Sequence, residues 1–294
     1  MTSKCVNYLS KTFLNVFISS NKCIYKNLAF EEKLFRTHDV AKGNCIFIWS
    51  NTPSVVIGRH QNPWLEANLL YLLENNIALA RRHSGGGTVY HDEGNLNISI
   101  LTEHNHHCRP KNLRNLSEIL NTKYGTNIVP NSRDDMLLNP GERKISGTAA
   151  RISKGKAYHH LTLLVDVDLQ RLKLVLKSPY ASQIQTNATR SVSAKAVGFL
   201  KQEVKDISTD IVMNDIITGF SNLYEESTIR INNVDLNTFD ENDQKELENL
   251  QSWVWLYAKT PKFTYQLRGK EEKIQVEKGV IKELDCELGP ILPF

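Results

Sequence analysis

The residues best suited to chemistry sit in one run, Arg81-Arg-His-Ser-Gly-Gly-Gly-Thr-Val-Tyr-His-Asp-Glu-Gly-Asn-Leu-Asn97. Gly85, Gly86 and Gly87 remove every Cβ over nearly three peptide units. The backbone there can take positive φ and come within hydrogen-bond distance of a ligand. Successive N–H groups in such a turn make a concavity that binds anions, and Arg82 is placed to grip a phosphate with a planar fork. Thr88, Val89 and Tyr90 are β-formers, and Leu96, Ile98 and Ile100 alternate with Asn95, Asn97 and Ser99, which predicts strand after the glycines. The run therefore reads as strand–turn–strand, with residues 77–80 delivering the turn and residues 94–102 returning from it. It is not a nucleotide P-loop, whose Gly-Lys-Ser/Thr is absent. A glycine-rich hairpin kept only for its turn is the plainer reading. The arginine pair, Ser84 and the His91-Asp92 pair weigh against it.

A second stretch, Lys144-Ile-Ser-Gly-Thr-Ala-Ala150, sets one lysine beside side chains too small to fill a core. Residues 133–138, a turn at Asn139-Pro140-Gly141 and residues 143–153 form a hairpin that presents it. Exposed lysines on hairpins are common, but the small neighbours favour a ligand-facing strand. In Tyr158-His-His-Leu-Thr-Leu-Leu164, His160 and Thr162 share one face while His159 points away. His104-Asn-His-His-Cys108 invites a metal reading. No second cluster at ligand spacing closes a zinc site, so a solvated loop is expected.

Together these segments resemble the lipoate–protein ligase and lipoyltransferase family. Its pattern Arg-Arg-x-Ser-Gly-Gly-Gly-x-Val-(Tyr/Phe)-His-Asp-x-Gly-Asn stands without a gap at residues 81–95, and its Lys-x-Ser-Gly-x-Ala and His-His-x-Thr segments stand at 144–149 and 159–162. Residues 55–64 look like the family's early strand and turn. Ser178-Pro-Tyr180, Asn187-Ala-Thr189 and Tyr257-Ala-Lys-Thr-Pro-Lys-Phe263 look most like its animal mitochondrial branch. The likeness runs from about residue 13 to about residue 283.

The resemblance implies an α/β (α+β) fold, a mixed and largely antiparallel sheet with flanking helices of the biotin and lipoate ligase kind. It implies a catalytic domain over residues 13–232 and the start of a C-terminal accessory domain over 246–294, which stops early. The implied reaction moves an activated lipoyl group, as lipoyl-AMP or carrier-bound, onto the specific lysine of lipoyl domains of 2-oxo acid dehydrogenase complexes. Lys144 is the implied catalytic cation, matching the charge that develops on the acyl oxygen and worth about 3–4 kcal/mol. Lipoyl-AMP would be held by Arg82, Ser84, Gly85, Gly86, Gly87, Thr88, Tyr90, His91, Arg133, Lys144, Ala149, His160, Thr162 and Thr189, with His160 bordering the lipoyl tunnel. Implied partners are the acyltransferase subunits that carry lipoyl domains and the glycine-cleavage H-protein; a monomer in the mitochondrial matrix is expected. Two alternatives stay open: a full ligase that makes the adenylate from lipoate and Mg-ATP, and an inactive adapter that binds lipoyl domains. Biotin ligases carry a Gly-Arg-Gly-Arg signature absent here. Octanoyltransferases and lipoyl amidotransferases that work through a thioester need a nucleophilic cysteine, and none lies in the motif region: Cys45 sits in an apolar strand and Cys108 in a polar loop.

The elements around these motifs come from a chain of 294 residues, 40% apolar and 23% charged, with net charge +4. That suits one large and one smaller globular unit. No apolar run is long enough to cross a membrane, and no basic stripe interleaved with aromatics points to nucleic acid. Cys5, Cys23, Cys45, Cys108 and Cys286 lack paired spacing and read as free thiols in a reducing compartment. The first 30 residues carry no Asp or Glu but four lysines, a composition that lacks the arginines of a transit peptide; the resemblance to the animal mitochondrial branch is what implies a transit segment over residues 1–12. The sequons at Asn97, Asn115 and Asn187, with no secretory signal, are chance occurrences. Strands are expected at residues 13–20, 45–49 and 54–57, and helices at 26–37, 64–75, 111–124 and 207–224. The 64–75 helix buries Leu65, Leu69, Leu72 and Leu73; the 207–224 helix buries Ile211, Val212, Ile216, Phe220 and Leu223. Residues 233–245 read as a linker, followed by a helix ending near Tyr257 and a β meander over 263–284.

Overall fold

The computed structural model describes residues 13–223, 228–267, 272–282 and 286–288. The transit reading on residues 1–12 lies outside them. β1 (Phe13–Ser19) runs parallel to β2 (Asn44–Trp49), Leu14 opposite Asn44, so the chain needs a crossover. α1 (Ile24–Thr37) supplies it, as the helix expected over 26–37, and buries Leu28 and Phe35 together with Glu31 and Glu32. β3 (Ser54–Ile57) is wholly buried.

The expected single helix over 64–75 is two: α2 (Pro63–Glu66) and α3 (Leu69–Glu74). Ala67 is extended between them, and the Asn68 side chain accepts the Tyr71 N–H, starting a new helix where the first would continue. The break rotates the stripe, so Leu65, Leu69 and Leu72 are buried but Leu73 is 55% exposed.

β4 (Ala78–Arg81) and β5 (Val89–His91) flank the glycine turn. They are not neighbours: β3 lies between them, parallel to β4 and antiparallel to β5. Nor does the strand expected over 94–102 return from the turn. It is β6 (Asn95–Glu103), in the large sheet, with Leu96, Ile98 and Ile100 in the main core and the Asn95, Asn97 and Ser99 face also buried. α4 (Arg109–Tyr124) ends at Gly125, whose φ of 64° closes the helix.

β7 (Asn127–Pro130), β8 (Met136–Asn139) and β9 (Arg143–Lys144) form a small antiparallel sheet that ends on Lys144. The hairpin presenting Lys144 is therefore present. β10 (Ser146–Ser153) then joins the large sheet beside β11 (Lys156–Leu164). α5 (Leu169–Val175) and β12 (Ile184–Thr186) follow. α6 (Thr209–Leu223) is capped by Ser208, whose Oγ accepts the Ile211 N–H. Ile211 itself is 46% exposed and Ile217 takes its inward place.

β13 (Thr228–Val234) pairs parallel with β1, which completes the large sheet in the order β10-β11-β6-β2-β1-β13. The expected linker shrinks to residues 235–240, because α7 (Glu241–Gln251) starts on an Asp240 cap. A π-helical turn, Val254–Ala258, follows instead of more α-helix. β14 (Phe263–Gln266), β15 (Lys273–Glu277), β16 (Val280–Ile281) and β17 (Cys286–Glu287) extend a sheet whose edge is β12.

The fold is thus mixed α/β with the expected flanking helices. Leu113, Leu116 and Leu120 of α4 and Val212, Ile216 and Phe220 of α6 cover Leu14, Ile48, Ile98 and Leu161 of the large sheet. Each such fully buried side chain contributes about 1.5–3 kcal/mol of transfer free energy. A second core joins Val55, Ile57 and Trp64 to Phe263, Tyr265 and Val276, so the C-terminal strands pack behind the small sheet. Cys23 and Cys45 are free thiols, but Cys108 is disulfide-bonded, with its partner outside the described side chains; five free thiols is therefore not the state of this structure. His104–His106 form a 3-10 turn that leaves His106 and His107 half-buried, tighter than a solvated loop.

Candidate active site

A cavity of about 320 Å³ opens where β5, β10, β11 and the loop after β12 meet. Of the residues singled out in the sequence it gathers Arg82, Gly86, Gly87, Thr88, His91, Arg133, Lys144, Ala149, His160, Thr162 and Thr189. Its buried wall is Leu28, Trp49, Val56, His91, Asn97 and Leu161, and its open side carries Arg133, Lys144, Arg190 and Val192. Apolar inner wall and cationic rim suit an amphipathic ligand with an anionic end.

Three expected residues do not line it. Side chains alternate along β5, so Val89 and His91 reach the cavity while Tyr90 packs into the second core. Gly85 turns its carbonyl toward Arg82 and has open space at its Cβ position. Ser84 is 1% exposed and acts one layer behind, through His160.

The glycine turn is held from inside. Arg82, 4% exposed, donates Nε–H to Ser84 Oγ at 3.0 Å, Nη1–H to Val56 O at 3.0 Å, and Nη2–H to Gly85 O and Gly87 O at 2.6 and 2.7 Å. Its fork is committed to the loop's own carbonyls, not presented to a phosphate. Burial pushes its pKa down to about 10, so it stays charged at neutral pH. Of the three turn glycines only Gly86 has positive φ, at 86°, and the Gly58 backbone passes so close that a Cβ there would stand 2.2 Å from Gly86 O.

Arg82→Lys keeps the charge but cannot reach four acceptors arranged around a plane. We expect it to cost about 2 kcal/mol of stability and to weaken adenylate binding by about tenfold, read by chemical denaturation and calorimetry. Unchanged values in both would contradict the clamp.

The turn is also covered from outside. Ser191 Oγ accepts the Thr88 N–H at 2.8 Å and the Gln61 Nε2–H at 3.0 Å, while Thr88 Oγ1 donates to Gln61 Oε1 at 2.8 Å. Glu66, buried, accepts Arg190 Nε–H at 2.9 Å and the Ser191 N–H at 3.1 Å. An anion reaching the Thr88 N–H must displace the Ser191 hydroxyl. Gln61, Glu66 and Ser191 were missed in the sequence; the Gly58-Arg-His-Gln-Asn-Pro63 turn was the available signal.

Lys144 stands at the edge of the small β7-β8-β9 sheet, fixed by Lys144 N–H to Ala196 O and Gly198 N–H to Lys144 O, both at 3.0 Å. Its Nζ meets Asp135 Oδ1 at 2.6 Å, with the lysine side chain 23% exposed and the carboxylate 11%. Asp135, which the sequence also did not single out, is a carboxylate beside the Lys144 ammonium on the cavity wall.

Beside it runs a buried polar chain. Burial alone would raise the Glu31 carboxyl, but His160 beside it and hydrogen bonds from His160 and Ser99 hold it below its usual value. An ionised Glu31 accepts His160 Nδ1–H at 3.0 Å. Ser84 Oγ, already accepting from Arg82, donates to His160 Nε2 at 2.9 Å. His160 is thereby fixed in one tautomer at the cavity wall. His159, as expected, faces away, 3.2 Å from Asn112 Nδ2.

Burial, then Arg82 and His160, push His91 down to about 3; burial, then His107, His160 and Arg109, push His159 down to about 3. Both bind fewer protons folded than unfolded below about pH 6.5, so stability falls as pH drops through that range. Between about pH 7 and about pH 5.5 the two should remove roughly 2 kcal/mol. A denaturation midpoint flat over that interval would contradict the assignment.

Among the described residues, no group of three or more His, Cys, Asp or Glu is placed to hold a metal, and no helix is long and apolar enough to cross a membrane.

Comparison with known proteins agrees with this architecture. The lipoyl protein ligase A/B catalytic domain matches residues 23–221. A mitochondrial lipoyl amidotransferase of Homo sapiens is 39% identical over 258 residues, covering 86% of this chain and 68% of that protein. The Mus musculus protein of the same name is 37% identical over 243 residues, covering 82% and 64%. The chain thus spans about two thirds of the length of these relatives. Among solved structures, a bipartite archaeal lipoate–protein ligase from Thermoplasma acidophilum, studied with its E2 lipoyl domain, shares 25% identity at a TM-score of 0.67, covering 84% of this chain and 96% of that one. A lipoate–protein ligase A bound with ATP shares 26% identity at a TM-score of 0.60, covering 83% and 95%. With its glycine turn, lysine hairpin and His-His-x-Thr strand assembled around one cavity, the chain belongs to the lipoyl protein ligase A/B catalytic domain family.

Proposed function

We propose that this chain transfers an activated lipoyl group, from lipoyl-AMP or a carrier, to the target lysine of lipoyl domains of 2-oxo acid dehydrogenase acyltransferase subunits. The observation that carries the reading is one cavity with a buried, largely apolar wall and a rim where Lys144, Arg133 and Arg190 meet the glycine turn. The acyl chain lies along the wall and the phosphate at the rim. The acceptor amine attacks the acyl carbonyl, the amide C–N bond forms, the bond from the acyl carbon to the phosphate oxygen breaks, and AMP leaves while the nitrogen loses a proton. Lys144 stabilises the negative charge that grows on the acyl oxygen and then on the departing phosphate. Gly86, Gly87 and Thr88 offer backbone N–H groups to that phosphate once Ser191 has moved aside; Arg133, Thr162 and Thr189 take the remaining polar edge of the adenylate. The glycine-cleavage H-protein serves as donor or acceptor, and the chain works as a monomer in the mitochondrial matrix.

The ATP-bound relative favours one second reading, a full ligase that first makes the adenylate from lipoate and Mg-ATP. Purified protein with apo lipoyl domain separates the two by intact mass, one arm given lipoyl-AMP and the other lipoate plus Mg-ATP. Lipoylation only with the adenylate supports transfer; lipoylation in both arms makes the chain a ligase. No adduct in either arm overturns both and leaves the inactive adapter, with lipoyl-domain binding as its readout.

A further inference from the structure

We propose that Glu246 of α7 is a positioning residue for the glycine turn: through His83 it fixes where the turn's N–H groups stand to receive the adenylate phosphate. The inference rests on the lipoyl reading above and adds to that site a residue outside the matched span 23–221.

Side chains entering the turn alternate in what they meet. Arg82 lines the cavity and Ser84 bonds His160 behind its wall. Arg81 and His83 turn the other way, to the C-terminal segment. Arg81 donates to Trp255 O and Leu256 O. His83 sets its ring 4.6 Å from the Trp255 ring, tilted by 47°, and its Nε2 2.8 Å from Glu246 Oε1. The His83 and Glu246 side chains are each 11% exposed. Burial alone would raise the Glu246 carboxyl, but the hydrogen bond from His83, then the Arg36 guanidinium, hold it below its usual value. An ionised carboxylate can only accept, so His83 Nε2 carries the proton. Glu246 is anchored in turn. Arg36 of α1 bonds both Glu246 and Glu32, and Glu32, 3.9 Å from His83 Nε2, also pairs with Arg151 of β10. One ion cluster thus ties α7, α1 and β10 to the residue between Arg82 and Ser84.

Gly85, Gly86 and Gly87 have no side chains to lock the turn, so the residues entering it set its position. On the β3 side the main chain is held by Arg82 N–H to Ile57 O at 3.1 Å and Arg59 N–H to Ser84 O at 2.9 Å. His83 supplies the hold on the opposite side. What it steadies is the Arg82 fork, which grips Gly85 O and Gly87 O. A planar peptide points its N–H opposite to its carbonyl, so that grip aims the Gly86 and Thr88 N–H groups. A planar fork tolerates little displacement of the chain that carries it. Releasing His83 from Glu246 therefore falls on phosphate binding. Lys144 keeps its place through Ala196 and Gly198, so the transfer step is spared.

The test uses the whole protein, a non-hydrolysable lipoyl-adenylate analogue for calorimetry, and lipoyl-AMP with apo lipoyl domain for rates. Glu246→Ala and His83→Phe remove the bond from either end, and phenylalanine keeps the stack on Trp255. Each should weaken analogue binding by about fivefold and raise the KM for lipoyl-AMP in step. The single-turnover rate at saturation should change by less than about twofold, the mark of lost binding shared by ground and transition states. The double variant should bind no more weakly than either single, because both break one bond. Glu246→Gln keeps an acceptor for His83 Nε2–H and should restore most of the affinity. A purely structural cluster would lower denaturation midpoints and leave analogue affinity and KM at wild-type values; that result overturns the inference and leaves the lipoyl reading intact. Additive losses in the double variant overturn it as well. If Glu246→Ala fails to fold, His83→Phe and Glu246→Gln still decide. A wild type that does not bind the analogue overturns the lipoyl reading and the inference with it.

Discussion

Replacing Lys144 by alanine should lower acyl transfer by about 10²–10³-fold. The ammonium lines the cavity and is fixed twice, by its main chain against residues 196–198 and by Asp135 at 2.6 Å. A cation so placed needs no reorganisation when charge appears on the acyl oxygen, which is why its loss falls on the transition state. The same substitution leaves the Asp135 carboxylate, 11% exposed, without its partner, so a stability loss on the order of 1–2 kcal/mol is expected beside the kinetic one. Adding Asp135→Asn separates the two. The double variant should recover stability without recovering rate, because neutralising the orphan carboxylate restores nothing at the acyl oxygen. Single-turnover transfer from saturating lipoyl-AMP reads the first effect and chemical denaturation the second. Near-normal single-turnover rates in Lys144→Ala would remove Lys144 from the mechanism.

What could be read in the sequence was what local geometry determines. The glycine run, the small residues after Lys144 and the opposed faces of His159 and His160 are each fixed by a few adjacent residues, and the structure uses all three. The period-two rule that separated His159 from His160 also separates Tyr90 from His91, and applying it to β5 would have kept Tyr90 out of the site. Other features depend on chain far away. β3 enters between β4 and β5 through a pairing that no residue near the glycines encodes. The fork of Arg82 looked free because its acceptors, among them Val56 O, are carbonyls, and carbonyls carry no sequence signature. Trp49 comes to the cavity from β2, and Glu31 reaches His160 behind it from α1, two elements whose hydrophobic patterns advertise only a core. The helix break at Ala67 turns on one Asn side chain competing for backbone N–H groups, a balance of about 1 kcal/mol that a leucine stripe conceals.

Arg81→Met should destabilise the chain by about 4 kcal/mol, enough to lower its melting temperature on the order of 10 °C. Arg81 is fully buried, and among the described residues no carboxylate pairs with it. Its charge is balanced by oxygen dipoles from two distant places. Nη1 donates to the carbonyls of Arg59 and Gln61 at 3.0 and 2.8 Å and to Gly58 at 3.3 Å. Nε and Nη2 donate to Trp255 O at 3.0 Å, Leu256 O at 2.6 Å and Thr260 Oγ1 at 3.0 Å. The Trp255 indole returns a bond to Arg81 O at 2.7 Å. Burial, then the Arg59 charge, push the guanidinium down to about 9, still protonated at neutral pH. Methionine fills much of the same volume but donates nothing, so several buried carbonyls lose their donor at once, each at about 1–3 kcal/mol before relaxation. The loss should reach the cavity as well. The 58–61 turn that Arg81 holds is the one from which Gln61 binds Thr88 and Ser191. In variants kept folded at low temperature, adenylate affinity should fall along with stability. Arg81→Lys should fall between, since an ammonium offers three donors to acceptors arranged for a planar fork. A denaturation shift under about 1 kcal/mol for Arg81→Met would mean that the π-helical turn and the 58–61 turn hold their places without it.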